Sequence, residues 1–286
     1  ARRPWCLAAP PVLQARRMKP MDFRGRWVLV TGASSGLGQE MARQLAREHG
    51  ANIVAVARRA DRLDALKQEL EPTGVKVLPL SADLQKLDDV DRVVDRATDG
   101  EPLYAAVLNA GITHFGDHHE LGWDGFQRML STNVTSVVRF TERLLPYLEK
   151  QGEGGGVMLV SSMAGLSPVP YQAAYSGTKA FLVHYGCSLY HELQGKNVSI
   201  TTFAPGGIAT EMTEGERFNS LRSWLMPVDR CARSGLDGFR QRKYLHVPGV
   251  LYKLLATLSN VAPEPFSSSR VAAEYRASLA AAKRAG

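Results

Sequence analysis

The chain has 286 residues, 44% of them hydrophobic and 22% charged, with 26 Gly, 15 Pro and only 3 Cys. That balance excludes disordered, collagen-like and disulfide-scaffold classes, and the length suffices for one large domain with a sizeable core. The formal net charge of +7 sits mostly in the tail, where Arg2, Arg3, Arg16, Arg17, Lys19, Arg24 and Arg26 face Asp22 alone. The body is close to neutral, so the basic face of a nucleic-acid module is not implied.

Residues 1–24 read as a disordered basic extension, broken by Pro4, Pro10, Pro11 and Pro20 and short of the apolar run of a secretory signal. From residue 25 to about 250, strand-like and helix-like segments alternate. The strand-like runs are Trp27–Thr31, Asn52–Ala57, Val75–Ser81, Ala105–Asn109, Gly156–Ser161, Ser199–Ala204 and Tyr244–Val247. Amphipathic segments between them are Gly38–His49, Arg62–Leu70, Leu87–Thr98, Phe126–Glu149 and Tyr175–Leu193. The strands are continuously apolar, which fits burial on both faces. Such alternation predicts one α/β domain, doubly wound, with a seven-stranded parallel sheet flanked by helices. Residues 251–286 read as a helical C-terminal extension, with an apolar stripe over 250–261 and a last helix over 275–284. No run approaches the ~18 apolar residues of a membrane span. The scattered thiols Cys6, Cys187 and Cys231 suit a reducing, cytoplasmic setting better than a disulfide framework or zinc site.

The first strand runs into Thr31-Gly32-Ala33-Ser34-Ser35-Gly36-Leu37-Gly38 and then a helix. Strand, glycine-rich turn and helix start form a cradle for a dinucleotide pyrophosphate, because small residues admit the backbone and the helix N-terminus offers N–H groups. A site for NAD would carry Asp or Glu at the end of the second strand. Arg58-Arg59 stands there instead, and a guanidinium pairs with a 2′-phosphate, so NADP(H) is the expected cofactor.

The TGxxxGxG spacing resembles the compact branch of the short-chain dehydrogenase/reductase family, and further motifs along the chain carry the same resemblance. Asn109-Ala110-Gly111 follows the fourth strand, Asn133 and Ser162 stand at family positions, Tyr175-Ser176-Gly177-Thr178-Lys179 is a YxxxK, and Pro205-Gly206 leads to Ile208 and Thr210. The resemblance implies a Rossmann fold and a catalytic set of Asn133, Ser162, Tyr175 and Lys179. It implies cofactor contacts from Gly32, Ser34, Ser35, Gly36, Leu37, Gly38, Arg58, Arg59, Asp83, Leu84, Asn109, Ala110, Gly111, Tyr175, Lys179, Pro205, Gly206, Ile208 and Thr210. Tyr175 would protonate a substrate carbonyl oxygen, Ser162 would hold it, Lys179 would bind the nicotinamide ribose, and Asn133 would hold a relaying water. A lysine charge ~4.5 Å from the phenol, at an effective dielectric of ~20, favours phenolate by ~3.7 kcal/mol, nearly three pKa units.

The segment 211–227, with Met212, Phe218, Leu221, Trp224, Leu225 and Met226, would fold over the substrate; Ile112, Phe115, Met163, Leu166, Val169 and Tyr171 would line the approach. A mostly apolar pocket suits an aliphatic, acyl or polycyclic ketone. His114, His118, His119 and Glu120 lack a metal-ligand pattern and read as a loop. The expected activity is NADPH-dependent carbonyl reduction by a homodimer or homotetramer joined through Phe126–Glu149 and Tyr175–Leu193. The alternatives are a 3-oxoacyl thioester reductase, or a nucleotide-sensing or scaffold protein that keeps the fold without chemistry.

Overall fold

The computed structural model describes residues 18–213 and 225–249, together with Ala273, Tyr275 and Arg276. Seven strands form one parallel sheet: β1 (Trp27–Thr31), β2 (Asn52–Ala57), β3 (Val77–Ser81), β4 (Leu103–Leu108), β5 (Gly156–Val160), β6 (Ser199–Phe203) and the short β7 (Leu245–His246). Their spatial order is β3-β2-β1-β4-β5-β6-β7. The chain is thus an α/β Rossmann fold, wound outward in both directions from β1 and β4. Order reverses between those two strands, and the carboxyl ends there open the crevice where such sheets bind ligands.

The helices are α1 (Gly36–Arg47), α2 (Ala60–Leu70), α3 (Leu87–Thr98), α4 (Gly122–Leu130), α5 (Ser136–Gln151), α6 (Ala173–Glu192) and α7 (Val228–Arg240). The strands bury both faces because separate helical layers cover them. On one side Met41, Leu45, Leu63, Leu66, Cys231 and Phe239 pack over Val28, Val30 and Phe203. On the other, Val90, Val94, Phe140, Leu144 and Leu182 cover Leu29, Val54 and Leu108. Cys187 and Cys231 are both buried, and burial pushes the Cys231 thiol up to about 12.

Four differences from the sequence reading have physical causes. Met21 and Phe23 are buried in the first core, and the Met21 N–H donates to Arg240 O at 2.8 Å. The packed body therefore starts within the stretch read as the extension, because Phe23 packs its ring against Tyr104 and Phe239; residues 1–17 lie outside the described set. The stretch Phe126–Glu149 is not one helix. It is α4 and α5 joined by a π-turn over Ser131–Thr135, which places Asn133 fully inward. Insertions of this kind re-aim one side chain without ending the helix. The helix α7 was not anticipated. Gly235 and Gly238 lower its helix propensity, yet each is needed: an added Cβ would meet Phe203 and Met41 at Gly235, and His246 at Gly238. Finally, β7 is shorter than Tyr244–Val247, pairing only through Leu245 and His246.

Among the described residues no helix is long and apolar enough to cross a membrane. The extension beyond 250 lies outside them except for Ala273, Tyr275 and Arg276, and so do Phe218, Leu221 and Trp224.

Candidate active site

One cavity of about 580 Å³ runs along the carboxyl edge of the sheet, from Arg58 and Arg59 at one end to Tyr275 at the other. The glycine turn forms its floor. Gly32 has φ +70° and Gly36 φ +56°, conformations that favour glycine. An added Cβ on Gly32 would meet Asn109 Nδ2 at 2.8 Å and Ala110 Cα at 3.1 Å. Gly38 differs from its neighbours. It does not line the cavity, and a Cβ there would run into Gly32 O and Asn109 Nδ2. The missing side chain lets α1 pack closely against the turn.

Thr31 clamps the turn to the next loop. Its hydroxyl accepts from the N–H groups of Asn109 (2.9 Å) and Ala110 (3.0 Å), and its carbonyl accepts from Asn109 Nδ2 at 3.0 Å. Gly32, Ser34, Ser35, Gly36, Leu37, Asn109, Ala110 and Gly111 all line the cavity, as do Arg58, Arg59, Asp83, Leu84, Pro205, Gly206, Ile208 and Thr210. The Asp83 carboxylate already accepts the Gln85 N–H at 3.2 Å, while the Asp83 N–H donates to Asp89 at 2.7 Å. These residues fit a dinucleotide: Gly32 and Gly36 hold backbone where side chains would fill the cradle, α1 begins there, and the guanidinium groups of Arg58 and Arg59 line the same cavity.

Arg59 Nη2 donates to Ser35 Oγ at 2.7 Å and to Ser34 Oγ at 3.2 Å, tying the end of β2 across the glycine turn. Arg58 is exposed beside it, its own carbonyl accepting from Ser81 Oγ at 3.2 Å.

Toward the other end, Ser162 lies two residues past β5 as the cap of a short 3-10 turn, its hydroxyl accepting the Ala164 N–H at 3.1 Å. Tyr175 and Lys179 are one turn apart on α6, and both line the cavity with Ser162. The Tyr175 hydroxyl hydrogen-bonds with that of Ser162, which offsets part of a larger effect: burial pushes the phenol above its usual value. Lys179 is 4% exposed, and burial lowers its ammonium to about 8. Its Nζ donates to Val160 O at 2.9 Å and stands 5.7 Å from the centre of the Tyr175 ring. The sequence-based expectation of a phenol drawn down by its lysine is therefore not met in this arrangement. Both groups share a desolvated pocket, where burial opposes the charged form of each.

Asn133 does not line the cavity. Its Oδ1 accepts the Ile112 N–H at 2.8 Å, and its Nδ2 donates to Ile112 O at 2.9 Å and Thr178 Oγ1 at 3.1 Å. These side-chain hydrogen bonds lock the loop after β4 to α6. Of the expected substrate-side residues, Ile112, Met163, Val169 and Leu225 line the cavity, whereas Phe115, Leu166 and Tyr171 do not. His114 is taken up by a contact with Asp117 O at 3.2 Å.

The lining residues Gln172 and Tyr275 escaped the sequence reading, while Glu211, at the start of the segment expected to fold over the substrate, also belongs to the wall. Tyr275 packs edge-on against Phe115, with ring centres 4.8 Å apart, and Arg276 Nε donates to Tyr171 OH at 3.0 Å. Nothing in the local sequence near 275 signals a contact with a loop 160 residues earlier.

A family model described as short chain dehydrogenase matches residues 26–220. The chain belongs to the short-chain dehydrogenase/reductase family, whose members act on carbonyl and hydroxyl groups with a nicotinamide dinucleotide. It is 37% identical over 204 residues to an uncharacterized oxidoreductase of Myxococcus xanthus, covering 70% of this chain and 78% of that one. It is 32% identical over 219 residues to a very-long-chain 3-oxoacyl-CoA reductase of Neurospora crassa, covering 73% and 64%. The chain thus spans just under two thirds of the length of that relative. Among solved structures, a short-chain dehydrogenase from Sphingobium yanoikuyae in complex with NADPH is similar, with a TM-score of 0.74, 28% identity, and coverage of 82% of this chain and 94% of that one. Other solved neighbours hold NAD or NADH.

Proposed function

We propose that this chain reduces a ketone or aldehyde to an alcohol with NADPH, on a mostly apolar substrate. The observation that carries the reading is the arrangement of Ser162, Tyr175 and Lys179 on one cavity with the glycine turn. When bound, the dihydronicotinamide supplies the hydride. Tyr175, held as a neutral phenol by burial, gives its proton to the substrate oxygen. Ser162, already hydrogen-bonded to that phenol, donates to the same oxygen and fixes it. Lys179, a cation at neutral pH, offsets the charge that develops on Tyr175 as its proton leaves. Asn133 acts as a positioning residue, holding the loop of Ile112 against α6.

Arg59, with Arg58 beside it, favours NADPH over NADH. Replacing Arg59 by Ala is expected to weaken NADPH binding about ten- to a hundred-fold, the loss of a charge-assisted hydrogen bond, and to leave NADH nearly unchanged. Equal losses for both nucleotides in a fluorescence titration would contradict this. Initial rates on apolar ketones, 3-oxoacyl thioesters and small aldehydes test the reaction as a whole. Turnover faster with NADPH than with NADH supports the reading, and tight NADPH binding without turnover on any of them opposes it. The thioesters belong in that panel because the Neurospora crassa relative is named for such a substrate.

The exposed Trp123, Leu130 and Phe181, on α4 and α6, support assembly through these helices. Light scattering is expected to give two or four chains per particle. A monomer at micromolar concentration would contradict the assembly.

A further inference from the structure

We propose that Glu211 occupies, as an internal anion, the guanidinium site that a nucleotide 2′-phosphate would take on Arg59, and so limits the preference of this cleft for phosphorylated dinucleotides. The inference rests on the reading of Arg59 given above. Both terminal nitrogens of Arg59 donate to Glu211 Oε2 at 3.3 Å, and Glu211 Oε1 stands 3.7 Å from Arg62 Nη1. One carboxylate therefore bridges two cations beside the hydroxyls of Ser34 and Ser35, the setting an oxyanion of a nucleotide would enter. The contacts are long for charge-assisted hydrogen bonds, which run at about 2.7–2.9 Å. The partners are 43% and 48% exposed. Such a pair is weak and displaceable.

Glu211 is nonetheless held in place. It opens a 3-10 turn over Glu211–Thr213, in which Thr213 Oγ1 donates to Ile208 O at 2.7 Å and accepts the Thr210 N–H at 3.1 Å. Thr210 lies directly over the start of α1, within 3.3 Å of where a Cβ on Gly36 would stand. The segment expected to face the nicotinamide thus carries, at its end, an acid that reaches the opposite end of the cleft. A 2′-phosphate arriving on Arg59 displaces this carboxylate and is repelled by it; a nucleotide with a free 2′-hydroxyl meets no such competition.

The test is a set of fluorescence titrations of the full chain with NADPH and NADH, using wild type, Glu211→Gln, Glu211→Lys, Arg59→Ala and the Arg59→Ala/Glu211→Gln double variant. Glu211→Gln is expected to tighten NADPH about two- to five-fold, the range of an exposed ion pair, with NADH changed by less. Glu211→Lys is expected to tighten NADPH further. In the Arg59→Ala background the gain from Glu211→Gln disappears, because the two act on one interaction. If Arg59→Ala removes the NADPH preference while Glu211→Gln leaves NADPH affinity unchanged or weaker, the proposal for Glu211 is overturned and the role of Arg59 stands. If wild type shows no NADPH preference and Arg59→Ala changes neither affinity, the reading of Arg59 fails and the proposal fails with it.

Discussion

Replacing Tyr175 by Phe is expected to lower kcat by about a hundred- to ten-thousand-fold, the usual worth of a positioned general acid, with NADPH affinity changed little. The aromatic ring remains, so packing on α6 is conserved and only the proton is lost. Stopped-flow or steady-state rates, with nucleotide titration in parallel, separate the two effects. The pH profile carries a second expectation. Lys179 loses its charge near pH 8, and above that pH the phenolate left by proton donation has no cation to offset it. Reduction should therefore fall on the alkaline side of about 8, while alcohol oxidation, which needs phenolate at the start, should gain with rising pH. A Tyr175→Phe variant with normal kcat would remove the phenol from the chemistry.

Replacing Lys179 by Met is expected to abolish turnover and, at the same time, to raise stability at neutral pH. The ammonium is buried, its recorded hydrogen bond goes to a backbone carbonyl, and among the described residues no carboxylate pairs with it. Its folded value of about 8 lies below the ~10.4 of an exposed lysine. Below pH 8 both folded and unfolded states carry the charge, and the folded state bears the full cost of burying it. Between pH 8 and ~10.4 the unfolded chain binds more protons than the folded one, so wild-type stability from this group rises with pH. A neutral thioether of similar length escapes the cost. The gain is expected to be about 1–3 kcal/mol near pH 7 and to shrink toward pH 10. Urea denaturation at several pH values measures it. A variant less stable than wild type at pH 7 would mean that the lysine is compensated by contacts other than Val160.

The sheet was legible in the sequence because its strands are short, β-branched and buried on both faces, so that each run stands out between helical patterns. The alternation implied a parallel, doubly wound sheet, while the order β3-β2-β1-β4-β5-β6-β7 came from the structure. What was not legible depended on packing across long separations. Asn133 was recognised as a functional position, but its dependence on a π-turn could not be read from Ser131–Thr135, where no residue marks the extra insertion. The glycines of α7 argue locally against a helix, and only the neighbouring Phe203, Met41 and His246 explain them.

At the site, the expected residues other than Gly38 and Asn133 line one cavity, whereas contacts between distant segments outside the motifs had no local signal. The glycine turn and Tyr175 with Lys179 are each set by one local element, so their spacing sufficed. The ion pair of Arg59 and Glu211 joins residues 152 positions apart, and the wall residue Tyr275 comes from beyond the stretch the family model matches. The electrostatics were misjudged for a related reason. Spacing put phenol and ammonium on one face of α6 but said nothing of their desolvation, and in a buried pocket desolvation is the larger effect.

The central claim is carbonyl reduction by hydride transfer with Tyr175 as the proton donor. Its most direct test is to supply NADPH carrying deuterium at both hydrogens of the nicotinamide C4, together with a ketone that the chain turns over, and to examine the alcohol by mass spectrometry. One deuterium on the carbinol carbon, formed by wild type and nearly absent with Tyr175→Phe, is the expected result. An alcohol without deuterium, or equal labelling by the variant, would contradict the account.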